Sequence, residues 1–130
     1  MILLDTCVLL WLPLGAHKLP EGVVAAIRRT PQGQRWVCPL SAYEIGAKVA
    51  RGRLELPLGV EDWFWTLCRG RGLTPLPVTA EACLRASRLP DIHRDPVDRI
   101  LVAQAQQHGL LLLTSDETIA RYPGVDVLWQ

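Results

Sequence analysis

The chain has no excess of either charge: 14 Lys and Arg stand against 13 Asp and Glu, for a formal net charge of +1. That balance excludes an overall attraction to nucleic acid or anionic membrane, so any such binding has to come from local patches. Long apolar runs are missing too; those present are short and interrupted, too short to span a bilayer. The opening Met1-Ile2-Leu3-Leu4-Asp5 lacks the basic start and small-residue cleavage site of a secretory signal, and the expectation is a cytoplasmic protein. Cys7, Cys38, Cys68 and Cys83 are widely spaced and include no CxxC pair, which argues against a zinc site and a disulfide framework. Reduced, mostly buried thiols are expected instead. No repeat or low-complexity segment is visible, and the 10 prolines and 10 glycines are scattered as turns rather than gathered in a linker. What remains is a chain of 130 residues, 49% hydrophobic, suited to a single domain spanning residues 1–130 around one core.

Short apolar runs alternate with helical patterns. Met1 to Leu4 and Leu110 to Thr114 read as strands buried on both faces, as central parallel strands are. Arg35 to Pro39, Leu73 to Val78 and Val125 to Leu128 read as further strands, with Pro75 and Pro77 pushing the second of these to a sheet edge. Between them the pattern predicts helices over Val8–Leu12, ending at Pro13, and over Glu21–Arg29. A further helix is capped by Ser41, with Glu44 in its first turn and Tyr43, Ile45 and Val49 facing inward. Others run over Val60–Arg69, Thr79–Ser87 and Thr118–Tyr122. The clearest helix start is Asp95-Pro96-Val97-Asp98. Asp95 suits the N-cap, Pro96 the first helical position, and Asp98 the positive end of the helix dipole, with Gly109 closing the helix. Strand–helix alternation makes an α/β fold with a central parallel sheet of four to five strands the natural architecture.

Two surface features stand out. Arg28, Arg29, Arg35, Lys48, Arg51 and Arg53 are opposed in their stretch by Glu44 alone, which fits either a solvated helix face or an RNA contact. Trp63, Phe64 and Trp65 are consecutive on a helix, so they cannot all face one core; either one meets a partner or the core contact is unusually large.

Asp5 ends one apolar strand and Asp116 follows another, while Glu44 and Asp98 lie early in helices. In a doubly wound sheet all four fall at the carboxyl-end rim, where ligands bind. Each alone is explained by a turn or a cap. Together they would repel and raise one another's pKa unless a divalent cation sat among them, and oxygen-only ligands select Mg²⁺ or Mn²⁺ over zinc. Such a site suits phosphodiester cleavage.

These residues are similar to those of PIN-domain proteins, specifically the VapC-like ribonuclease toxins of type II toxin–antitoxin modules. The resemblance runs from Leu3-Leu4-Asp5-Thr6 through Ser41-Ala42-Tyr43-Glu44-Ile45 to Leu113-Thr114-Ser115-Asp116. It is most specific at His93-Arg94-Asp95-Pro96-Val97-Asp98-Arg99. It implies a three-layer α/β/α domain, Mg²⁺- or Mn²⁺-dependent endoribonuclease activity, a homodimer or higher even oligomer, and a small cognate antitoxin. It also implies that Asp5, Glu44, Asp98 and Asp116 are the catalytic and metal-binding acids, with Asp5 and Asp98 the direct ligands. Asp95, Thr6, Thr114 and Arg99 follow as secondary members, Arg99 pairing with an acid or phosphate. Two positions depart from the pattern: Cys7 stands where relatives often have His, and Tyr43 where they often have Trp. His93 fits a phosphate contact or a structural hydrogen bond. The helices carrying Val8–Leu12 and Trp63–Leu67 are expected to form the antitoxin groove. A catalytically silent binding module, or a small metal-dependent DNA nuclease or phosphatase, are the alternatives.

Overall fold

Leu3, Leu4, Leu112 and Leu113 offer solvent no polar face, and the chain buries all four by placing their strands side by side at the middle of a sheet. The structure is a computed structural model describing residues 1–130. Five strands, β1 (Ile2–Leu4), β2 (Arg35–Val37), β3 (Thr74–Pro75), β4 (Leu111–Leu113) and β5 (Asp126–Leu128), are all parallel in the order β3-β2-β1-β4-β5. Six helices cross between them: α1 (Thr6–Leu14), α2 (Glu21–Arg29), α3 (Pro39–Ala50), α4 (Val60–Arg71), α5 (Ala80–Ser87) and α6 (Pro96–His108).

Alternate residues of each strand point to opposite faces, which divides the core in two. Ile2, Leu4, Val37 and Leu113 pack against Val8 and Leu9 of α1, Val23 and Ile27 of α2, Ile45 of α3 and Trp63, Phe64 and Leu67 of α4. Leu3 and Leu112 face the other way, onto Leu101, Val102 and Ala105 of α6, with Ile119 and Tyr122 beside them. The result is the three-layer α/β/α arrangement. Leaving β1, the chain first builds outward through β2 to β3, then returns by α5 and α6 to lay β4 on the opposite side. The carboxyl ends of β1 and β4 therefore flank the point where the winding reverses, the crevice in which open α/β sheets bind ligands.

Several element ends differ from the pattern-based expectation. Helix α1 starts at Thr6 because Asp5 caps it directly off β1, and it runs past Pro13 to Leu14; the missing N–H falls in the last turn, which Gly15 N–H closes onto the Trp11 carbonyl at 2.9 Å. Helix α3 starts two residues before Ser41. Pro39, with its φ already helical, takes the first position, so Ser41 is not a cap and Glu44 lies in the second turn. Tyr43 points outward, 69% exposed, instead of into the core, because it lies two residues, more than half a turn, from both of the buried Ser41 and Ile45. The stretch near Thr118 forms only a 3-10 turn over Ile119–Arg121. As its β-edge position suggests, β3 tolerates Pro75, and the buried Gln104 of α6 donates to the carbonyls of Leu76 and Pro77, which follow it.

Most of the apolar side chains of the helices bearing Val8–Leu12 and Trp63–Leu67, expected to form an antitoxin groove, are taken up by the core, with Leu10 and Trp11 half-buried. Val8, Leu9, Leu12, Trp63, Phe64 and Leu67 are all buried in the core, where the sheet face consumes the apolar stripes of both helices. Of the three consecutive aromatics only Trp65, 48% exposed, remains outside.

Candidate active site

The ladder register assembles the site. Leu4 pairs with Leu113, so Asp5 and Thr114, one residue further on, emerge next to each other at the rim. Asp5 N–H continues the ladder to the Leu113 carbonyl at 3.0 Å, and the Thr114 hydroxyl donates to Asp5 Oδ2 at 2.5 Å. Asp5 Oδ1 accepts from Thr6 N–H at 2.7 Å, so both carboxylate oxygens are held. Thr6 in turn donates from its hydroxyl to Ser41 Oγ at 2.9 Å, tying α1 to α3. Thr114 Oγ1 also accepts from Asp116 N–H at 3.1 Å, and Asp116 Oδ1 accepts from Thr118 N–H at 2.8 Å, which fixes the loop that carries Asp116.

Asp98 enters from the first turn of α6. Asp95 caps that helix, accepting from Val97 N–H at 2.9 Å, with Pro96 behind it, as the sequence suggests. Asp5, Asp98 and Glu44 line one pocket of about 320 Å³ together with Thr6, Cys7 and Lys48. Glu44 makes no hydrogen bond or ion pair of its own. Asp116 joins the group through His93, whose Nε2 lies 3.1 Å from Asp98 Oδ2 and 3.1 Å from Asp116 Oδ2.

The imidazole is oriented by its other nitrogen. Asp95 N–H donates to Nδ1 at 3.1 Å, and a backbone N–H can only donate, so Nδ1 is the acceptor and Nε2 carries the proton. His93 thus presents an N–H to two carboxylates rather than a lone pair to a cation. Asp98, His93 and Asp116 have ligand atoms close enough to hold one ion, but the chemistry favours the two acids as the donors. Sequence reasoning placed His93 outside the metal-binding set; the signal that marks it is its place two residues before Asp95 in the His-x-Asp-Pro-x-Asp-Arg segment. Ser41, for which the sequence pattern suggests a cap, is instead fully buried behind Thr6.

The acids are crowded enough to resist ionisation. Burial, then the charges of Asp5 and Asp95, push Asp98 up to about 7 against the lowering effect of His93. Burial also raises Asp5, although the bonds from Thr114 and Thr6 oppose it. Cys7 lies beside them with its Sγ 3.6 Å from Ser115 Oγ; burial and the Asp5 charge raise its pKa, leaving it a neutral thiol.

Arg99 does not pair with an acid or a phosphate-facing surface. Its Nη1 donates to the carbonyls of Pro90 and His93 at 3.0 and 3.1 Å, and its Nη2 to those of Ala86 and Leu89 at 2.9 and 2.8 Å. The fork gathers carbonyls from the end of α5 and the following loop, of which those of Ala86 and Pro90 also accept backbone N–H groups, and so holds the loop bearing His93. Tyr122 completes the hold, its hydroxyl accepting from His93 N–H at 2.8 Å. Arg99→Lys keeps the charge but cannot reach both pairs of carbonyls, and is expected to lower unfolding free energy by about 2–3 kcal/mol in a denaturant titration.

A family model described as the PIN domain matches residues 2–125. Ribonuclease VapC22 of Mycobacterium tuberculosis is 29% identical over 133 residues, covering 98% of both chains. Among solved structures, VapBC2 from Rickettsia felis bound to a promoter DNA fragment superposes with a TM-score of 0.74 at 13% identity, covering 100% of both chains. FitAcB from Neisseria gonorrhoeae gives a TM-score of 0.68 at 23% identity, covering 98% of this chain and 96% of the other.

Proposed function

The chain belongs to the PIN-domain family, and from that membership we propose that it is a VapC-like endoribonuclease, the toxin of a type II toxin–antitoxin pair. One observation carries the reading: Asp5, Glu44 and Asp98, from three separate elements, share a single pocket, and His93 links Asp116 to Asp98. Four carboxylates without a lysine or arginine bonded to any of them form a donor set suited to a hard cation, and the resistance of Asp98 and Asp5 to ionisation marks charge that lacks a partner.

Asp5 and Asp98 would hold the ion, with Glu44 and Asp116 completing the oxygen shell; the cation is Mg²⁺ or Mn²⁺. When bound, it would supply an acidified water and offset charge gathering on a phosphodiester. Thr114 and Thr6 fix Asp5 in one rotamer, Asp95 caps α6 so that Asp98 faces the pocket, and His93 aligns Asp98 with Asp116. Lys48, which lines the same pocket, is placed to receive a phosphate oxygen.

A likeness to a solved toxin–antitoxin complex from Klebsiella pneumoniae, with a TM-score of 0.67 at 20% identity over 98% of this chain and 96% of that one, supports a small antitoxin as partner. We take the chain to act in the cytoplasm as one domain over residues 1–130 and as a homodimer or higher even oligomer. No helix is long and apolar enough to cross a membrane. The test is cleavage of RNA, DNA and a phosphomonoester at equal concentrations with Mg²⁺ or Mn²⁺. RNA is expected to be cut, and EDTA to stop the reaction. Full cutting in EDTA, or equal turnover of all three substrates, would overturn the reading.

A further inference from the structure

On the face of α3 opposite the buried Ser41 and Ile45, Tyr43 stands with 69% of its surface exposed, one residue before Glu44. It lines a cleft of about 610 Å³ together with Leu40, Val97 and Ile100, the cations Lys48, Arg51 and Arg53, and the acids Glu44 and Asp95 at its edge with the site. Those three cations are free, because the ion pairs of the chain are both made by His93. The cleft and the acidic pocket meet at Glu44 and Lys48, which line both.

We propose that this cleft binds the single-stranded RNA flanking the cut, with one base stacked on Tyr43 and the backbone phosphates running over Arg51, Arg53 and Lys48 into the acidic pocket. The assignment rests on the ribonuclease reading above and gives that site its substrate form. An aromatic face beside a line of unpaired cations is the arrangement that holds single strands, since every base has a face to stack and every linkage a charge to neutralise. A duplex has its bases already stacked and offers none to Tyr43. An acidic peptide could satisfy the cations, but it would leave the ring beside the catalytic acids unused.

The experiment reads binding apart from chemistry. Fluorescence anisotropy of a labelled single-stranded RNA is measured with the full chain carrying Asp98→Asn, in Mg²⁺. Adding Tyr43→Ala is expected to weaken binding about tenfold, and Tyr43→Trp to restore it. Arg51→Ala and Arg53→Ala are each expected to lower the slope of log affinity against log salt by about 0.7. Circular dichroism checks that the exposed substitutions leave the fold intact. Unchanged RNA affinity in Tyr43→Ala would overturn the proposal, as would a surface that takes an acidic peptide and no RNA. Cleavage by the unsubstituted protein is scored separately. If it cuts RNA while Tyr43→Ala binds normally, the cleft assignment falls and the nuclease stands; if it binds RNA through Tyr43 and never cuts, the reverse holds.

Discussion

Asp98→Asn is expected to abolish RNA cleavage and, in the absence of divalent metal, to leave a protein that melts higher than the parent. Both effects have one source. Asp98 is pushed up to about 7 by burial and by Asp5 and Asp95, so its ionised form is held against its own surroundings. An amide of the same shape relieves that repulsion, and it also lacks the charge with which a carboxylate grips a hard cation. The expected loss of activity is roughly 10³-fold. At about pH 8 in EDTA the variant should melt several degrees above the parent. A variant that keeps most of its activity would remove Asp98 from the machinery, and one that melts lower would show that the acid stabilises the fold.

The second large effect is the joint response to pH and metal. Asp98 has an ordinary value of 3.8 and a folded value of about 7, and Asp5 is displaced in the same direction. A carboxyl raised on folding contributes stability that is fully present below its unfolded value, declines as pH rises, and is lost above the folded value. Metal-free protein is therefore expected to be more stable at about pH 5.5 than at pH 8, by on the order of 2 kcal/mol after allowing for the solvent that reaches the Asp98 carboxyl. Divalent metal replaces the missing protons. With Mn²⁺ at about 100 times its dissociation constant, the melting temperature at pH 8 should rise roughly 10 °C, and the rise should shrink as the acids protonate. Thermal melts across that pH range, with Mn²⁺ and with EDTA, measure both trends. Equal stability at the two pH values without metal would contradict the crowding of the acids.

Much of this architecture was legible because the residues concerned answer to local rules. Leu3–Leu4 and Leu112–Leu113 are apolar on both faces and had to be central; Asp95-Pro96 and Thr79 are unambiguous helix starts. The gathering of Asp5 and Asp98 at one rim followed from the direction of a parallel sheet. What sequence left open depends on three dimensions. Ser41 satisfies the pattern of a cap, yet Pro39 claims the start of α3; Ser41 and Ile45 then share the buried face, Ser41 behind Thr6, and Tyr43 between them falls on the opposite one. Arg99 carries a charge that suits an acid or a phosphate, but the acceptors within its reach are four backbone carbonyls, which no spacing rule reveals. The bridging role of His93 arises only once Asp95 N–H fixes its ring.

The Thr114–Asp5 bond joins residues 109 positions apart, because the first strand made is central and waits for a neighbour supplied near the opposite end. A nascent polypeptide that has emerged only through β3 holds Asp5 and Glu44 with nothing to clamp or complete them. Closure of the acid cluster is thus deferred by topology itself: α6 and β4 must both be made before Asp98 and Thr114 can reach Asp5.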